Sequence, residues 1–292
     1  MKAMIFAAGL GTRLRPLTDN MPKALVPVCG RPLISIVIGR LISAGYYDIV
    51  INVHHFADMI EDYVHSMDDF GIRIRFSDER AGLLDTGGGI LHARPLLEGD
   101  GRFLVHNVDI LSDADLRRFY MNADPDAVAT LLVSSRKTSR YLLFNDSMEM
   151  KGWTNVDSGL VRSPFLPGGA GEAAGSDAES FVSGNGLTGY AFSGIHLLSD
   201  RIFPYLEDYA AGLLSARQDT ERKRADTSVR PVKFSITDFY IDSCAFCRIS
   251  GAAPGHLDIL DTGKPAALAE AERFIDRHRI LRECSLRSAL KE

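Results

Sequence analysis

The 292-residue chain carries only four cysteines and one tryptophan, and no excess of positive charge: 33 Lys and Arg stand against 38 Asp and Glu, a formal charge of -5. Four cysteines in so long a chain, two of them close together as Cys244 and Cys247, do not make a disulfide framework. A reducing cytoplasm is the expected compartment. The acidic balance excludes a polyanion held mainly by counterion release, so no nucleic-acid partner is expected. A small phosphate needs only a few local cations and backbone amides. No run reaches the roughly 18 apolar residues of a membrane span, because Arg40 splits the most hydrophobic region, and no membrane partner is expected. The apolar start, residues 3–10 after Lys2, contains glycine and runs straight into Arg13 and Arg15, unlike an export signal. Internal repeats are also lacking. What is present is ordinary globular composition, 46% hydrophobic and 24% charged, enough to bury a large core.

Through the first 135 residues short apolar runs alternate with amphipathic, helix-length segments, the pattern of successive βαβ units around a parallel sheet. The runs predict strands over 2–7, 48–54, 72–77, 102–108 and 127–133, and helices over 32–43, 57–66, 89–97 and 114–120. Beyond residue 134 the alternation loosens into pieces such as 141–145 and 189–196. The fold class read here is α/β: a Rossmann-like, mostly parallel sheet with helices on both faces, plus a mixed α+β extension. Residues 1–133 form a nucleotide-binding half and 134–264 a sugar-phosphate half of a single domain. Two insertions read as mobile loops, 166–183, rich in Gly, Ala and Ser, and 215–230, rich in Arg and Lys. A C-terminal helix over 265–292 starts near Pro265 and aligns Leu268, Ala271, Phe274 and Ile275 on one face.

The most informative segment is Ala7-Ala8-Gly9-Leu10-Gly11-Thr12-Arg13-Leu14-Arg15-Pro16-Leu17-Thr18, followed at once by Met21-Pro22-Lys23. Glycines directly after a first strand let backbone N–H groups turn toward an anion, and Arg13 and Lys23 add positive charge. The chemistry is that of a triphosphate cradle. A dinucleotide fingerprint would need a third glycine where Leu14 stands, and the Gly-Lys-Ser/Thr of a Walker A loop never appears.

The composite Gly9-Leu10-Gly11-Thr12-Arg13-Leu14, Pro16-Leu17-Thr18 and Pro22-Lys23 resembles the signature of the sugar-1-phosphate nucleotidyltransferase family. The resemblance implies the nucleotide-diphospho-sugar transferase fold and the reaction NTP + sugar 1-phosphate → NDP-sugar + pyrophosphate. It assigns Ala8, Gly9, Gly11 and Thr12 to nucleotide binding, and gives Arg13 and Lys23 to the phosphates at the reaction centre. Transfer between two anions calls for hard oxygen ligands around Mg²⁺, the implied cofactor. The apolar strand ending in Asn107-Val108-Asp109 resembles the family's Asn-Gly-Asp segment, with valine replacing glycine. It makes Asp109 the first metal ligand and a catalytic residue, and places Asn107 by the sugar. Asp261-Thr262-Gly263-Lys264-Pro265 matches the pattern of the second ligand, Asp261, with Asp258 as competitor.

Leu83-Leu84-Asp85-Thr86-Gly87-Gly88-Gly89 resembles the family's second glycine loop, which would let the backbone of Gly87 and Gly88 read the base. Phe192-Ser193-Gly194-Ile195 resembles a strand lining the sugar pocket, with Gly194 allowing close approach. His54 and His55 could flank the base or serve structure; 136–140 could add cations or form a solvated turn; Cys244 and Cys247 read as packing. Guanylyl and uridylyl transfer, to mannose 1-phosphate or N-acetylmuramate 1-phosphate, fit the resemblance equally. A cytidylyltransferase acting on an alcohol phosphate such as phosphocholine, or a non-catalytic sugar-nucleotide regulator, are the alternatives. Expected partners are the small-molecule substrates, with homo-oligomerisation left open.

Overall fold

The computed structural model describes residues 1–169, 171–220 and 232–278. The chain forms two compact units, each discontinuous in sequence: Met1–Leu83, Arg102–Asn122 and the described part of Gly255–Glu292 make the first, Leu84–Gly101 and Ala123–Pro254 the second. A division near residue 133 is therefore not what is observed. Residues 84–101 leave the first unit, and the C-terminal segment returns to it.

The first unit is built on four parallel strands in the order Arg102–Asn107, Lys2–Phe6, Asp48–Val53 and Arg73–Asp78. The central two are apolar and buried along almost their whole length, as strands covered on both faces must be. Helix Leu33–Ser43 connects the first to the second in sequence and buries Leu33, Ile34, Ile36, Val37, Ile38 and Leu41. Helix Ala57–Ser66 makes the next crossover, burying Ala57, Ile60 and Val64 at helical spacing. Strand C-termini in such a sheet all point the same way, which brings Ala7, His54 and Val108 to one edge of the unit. The return segment adds a two-stranded antiparallel ladder, Ile110–Ser112 with Ile259–Asp261, and helix Pro265–His278, which buries Ala271, Phe274 and Ile275. The predicted helix beyond His278 lies outside the described residues.

The second unit is mostly antiparallel. Its long strand Thr188–Ser199 pairs with Ala129–Ser134 and with Arg140–Phe144, and Ile249–Ala252 adds in parallel beside Ala129–Ser134. Met150–Asn155, Leu160–Arg162 and Glu172–Ala174 extend it as a meander. The stretch 166–183, expected to be a loop, contains a strand and helix Gly175–Gly184. Ala178 and Phe181, three positions apart, pack on Leu143, Val161 and Leu166, and this small cluster outweighs the poor helix propensity of the surrounding Gly and Ser. Of 215–230, residues up to Thr220 continue helix Ile202–Thr220 and 221–230 lie outside the described residues. The run around Cys244 and Cys247 is not one helix: Ile236–Ser243 is helical and Ile249–Ala252 is a strand. Both thiols are buried and donate to helix carbonyls of Ile241 and Ser243, and burial pushes both up to about 12, consistent with a packing role. Among the described residues no helix is long and apolar enough to cross a membrane.

Candidate active site

The glycine turn leaves the first strand with its backbone already committed at one end. Asn52, on the neighbouring strand, accepts from the N–H groups of Ala7 (2.7 Å) and Ala8 (3.3 Å), and donates through Nδ2 to Glu79 Oε1 (2.8 Å). Both side chains are 2% exposed, so the whole network is out of water. Glu79 in turn donates its N–H to Val53, and its carbonyl meets His54 Nδ1 and Gly82 N–H. The amide of Ala8 is thus spent inside the fold. From Gly9 to Thr12 the N–H groups have no partner among the described residues, and Gly9 and Thr12 are exposed. A row of open donors at a strand end has the electrostatics to receive an anion. Gly11 sits at φ +63°, where a side chain is strained, and a Cβ there would meet Thr18 at 3.0 Å and Lys23 at 3.1 Å. Thr18, buried, locks the turn by donating to the Gly11 carbonyl at 2.8 Å.

Lys23 opens a short 3₁₀ turn after buried Pro22, and Leu25 N–H closes on the Pro22 carbonyl. Its ammonium makes an ion pair with Asp109, both side chains being largely buried. Asp109 follows Val108, whose N–H is held by the Phe6 carbonyl; Val108 itself is buried in the core. Asp109 does not cap the following helix; Asp115 does, accepting from Arg118 N–H.

The ladder delivers the second acid. Its register pairs Ile110 with Asp261, Leu111 with Leu260 and Ser112 with Ile259, so Asp109 and Asp261 lie at the same end. Thr262, fully buried, donates both its N–H and its hydroxyl to the Asp109 carbonyl, each at 2.8 Å. A Cβ placed on Gly263 would lie 2.7 Å from Asp261 Oδ1, 2.8 Å from Arg13 Nη2 and 3.0 Å from Lys23 Nζ. Four residues from three distant parts of the chain therefore converge: Arg13, Lys23, Asp109 and Asp261. Asp258 does not join them; it lies at the far end of the ladder, bonded to Asp113.

Asn107 ends its strand half-buried, with its carbonyl taken by His106 Nδ1. Gly87, Gly88 and Gly194 belong to the second unit. The N–H groups of Gly87 and Gly88 both donate to the Phe234 carbonyl, at 2.9 and 3.2 Å, so base reading through those amides is not what the structure displays. They are the free donors of a helix start, satisfied by another chain segment. A Cβ on Gly87 would lie 2.3 Å from the Phe234 ring, and one on Gly88 2.3 Å from the Val232 carbonyl oxygen. Close approach is the reason for glycine, and what approaches is the chain itself. Gly194, at φ +76°, sits where the pairing with Ala129–Ser134 shifts register between Phe192 and His196. Arg136 donates to the Phe192 carbonyl, and His54 is tied to Glu79.

Sequence reasoning passed over Asn52, Glu79 and Thr262. Asn52 had a readable signal, a lone amide in the apolar strand Asp48–Val53. Thr262 had no such signal, and only the ladder reveals that its hydroxyl serves Asp109.

Residues 2–141 match the family model for nucleotidyl transferases. The chain is 50% identical over 166 residues to N-acetylmuramate alpha-1-phosphate uridylyltransferase of Caulobacter vibrioides, a match covering 55% of this chain and 66% of the relative. It is 48% identical over 123 residues to the Neisseria meningitidis protein of that name, covering 42% and 53%. The matches thus span just under two thirds and about half of these relatives' length. Among solved structures, HddC from Yersinia pseudotuberculosis complexed with GMP-PN superposes with a TM-score of 0.64 at 19% identity, over 94% of this chain and 99% of that one. UDP-glucose pyrophosphorylase complexed with UDP-glucose gives 0.65 at 17% identity, over 94% and 98%. At such identities these two establish the shared α/β fold.

Proposed function

We propose that the chain is a sugar-1-phosphate nucleotidyltransferase and that it transfers a uridylyl group from UTP to N-acetylmuramate α-1-phosphate, releasing pyrophosphate. The observation that carries the reaction class is the convergence of Arg13, Lys23, Asp109 and Asp261 at the end of one ladder. The choice of nucleotide and sugar is supported by identities of 50% and 48% to two uridylyltransferases, against 38% to the mannose-1-phosphate guanyltransferase beta-B of Xenopus laevis.

An oxygen of the sugar phosphate attacks the α-phosphorus in line; the new P–O bond forms as the bond to the pyrophosphate oxygen breaks. A phosphate monoester is already anionic near neutral pH, so no protein base is needed and positioning dominates. The open amides from Gly9 to Thr12 hold the triphosphate, and Arg13 and Lys23 offset the charge that builds on the departing pyrophosphate. Asp109 and Asp261 offer hard carboxylate oxygens, and the ammonium of Lys23 already rests against Asp109, so the donor set suits a cation. These two acids would hold Mg²⁺, which would supply positive charge to neutralise the phosphates. Thr262 keeps the Asp109 backbone in place throughout.

The test is pyrophosphate release across four NTPs and a panel of sugar 1-phosphates. Turnover is expected with UTP and N-acetylmuramate α-1-phosphate, and a clear preference for GTP with mannose 1-phosphate would replace this assignment. Asp109→Asn is expected to lower kcat by at least about 10³-fold with an unchanged unfolding midpoint. Near-normal turnover in that variant would remove Asp109 from the chemistry.

A further inference from the structure

The ladder that presents Asp109 and Asp261 has a second end, and it is chemically loaded. One residue beyond the paired strands stand Asp113 and Asp258, with His256 two positions earlier. Asp113 to Asp109 is four residues, roughly 13 Å along a strand, so the two ends cannot share one ion. We propose that Asp113, His256 and Asp258 bind a divalent transition-metal ion of the zinc class, with His278 flanking both carboxylates.

The geometry is that of converging ligands. One ligand atom from each of the three residues lies within 4.8 Å of the others. His256 Nε2 is 3.2 Å from Asp113 Oδ2 and 4.0 Å from Asp258 Oδ2. Ligand atoms around a tetrahedral zinc are separated by roughly 3.4 Å, given metal–ligand bonds near 2.1 Å. The Asp113 carboxylate is held in orientation by the backbone: its Oδ1 accepts the N–H of Asp258 at 2.9 Å, which turns Oδ2 toward the imidazoles. His278, 12% exposed at the end of the C-terminal helix, brings Nε2 to 3.1 Å from Asp258 Oδ2 and Nδ1 to 3.7 Å from Asp113 Oδ2. Nε2 is buried and yet makes no hydrogen bond there, so proximity to the carboxylate is not explained by an N–H···O pair. An imidazole on a carboxylate pair favours zinc-class ions over Mg²⁺, which prefers oxygen alone. The two carboxylates supply the charge that such an ion neutralises.

Bound there, the ion ties together the strand following Asp109 and the segment preceding Asp261, beside the end of the helix after it. It fixes the register of the ladder without touching the phosphate end. The proposal is independent of the transferase reading, because a chain without turnover would still bind the ion.

The experiment is equilibrium dialysis of the full chain against Zn²⁺ in saturating Mg²⁺, with thermal unfolding in parallel. One Zn²⁺ per chain and a raised unfolding midpoint are expected for the wild type. His256→Gln, altering a side chain 75% exposed and so not needed for folding, is expected to weaken binding at least tenfold and to abolish the thermal shift. Asp258→Asn should do likewise, and Asp109→Asn should bind Zn²⁺ as the wild type does. No stoichiometric Zn²⁺ in the wild type, undiminished binding in His256→Gln, or loss of binding in Asp109→Asn would each overturn the proposal.

Discussion

A single buried amide decides where the glycine turn begins. Asn52 can serve Ala7 and Ala8 with its carbonyl oxygen and Glu79 with its amino group only because an amide both donates and accepts. Leucine has the same branched outline and neither capacity. Asn52→Leu leaves the Ala7 N–H buried without an acceptor and removes a charge-assisted bond to a carboxylate, at a cost of about 2–4 kcal/mol. Urea unfolding is expected to show that loss, together with a rise in KM for the nucleotide, since the open amides from Gly9 onward lose their anchor. Unchanged values of both would make the network incidental. Asn52→Asp keeps the acceptor but sets a second carboxylate beside Glu79, so it should be no better. Thr262 teaches the same lesson of dual use: one residue gives two bonds to the carbonyl of Asp109.

Among the elements, two glycines in comparable surroundings separate stability from function. At Gly88 an added Cβ would fall 2.3 Å from a backbone oxygen of Val232, an atom that cannot swing aside. At Gly263 it would meet the tips of Asp261, Arg13 and Lys23, which can. Gly88→Ala is therefore expected to lower stability by about 2 kcal/mol or more through overpacking. Gly263→Ala is expected to leave the unfolding midpoint near that of the wild type while reducing kcat, by displacing the three charged groups. Thermal melts and steady-state kinetics on the pair distinguish the cases; equal loss of stability would deny that Gly263 is kept open for the site. The ladder explains why Asp261 could be picked out by motif and Asp258 could not be dismissed: three residues apart, they differ only in which end of the pairing they occupy. Helix Gly175–Gly184 was illegible for a different reason. Its driving force is two apolar residues, Ala178 and Phe181, and their partners Leu143 and Val161 are far away in sequence.

For the whole molecule, legibility followed burial. Strands of the first unit are continuous apolar runs bounded by turn residues, so 2–7, 48–54 and 102–108 were readable to within a residue or two, and the motif at their ends placed Arg13, Lys23 and Asp109. The exchange of residues 84–101 and 255–278 between units left no compositional trace, because each is held by contacts with distant segments. One consequence of deep burial is global. His106, wholly enclosed in strand Arg102–Asn107, has its imidazole pushed down from 6.5 to about 4, chiefly because burial penalises the charged form and further because Arg40 repels it. Its Nδ1 bond to the Asn107 carbonyl opposes the shift without cancelling it. Between those two values the unfolded chain takes up a proton that the folded chain refuses, so this group's contribution is intact above about pH 6.5 and is lost as pH falls toward 4. The loss amounts to roughly 3 kcal/mol. Because carboxylates also titrate at the lower end, the comparison must be differential: urea unfolding from about pH 7 to about pH 4 is expected to fall more steeply for the wild type than for His106→Gln, even if the variant is less stable at neutral pH. Parallel curves for the two proteins would mean that the imidazole gains its proton as readily inside the fold as outside it.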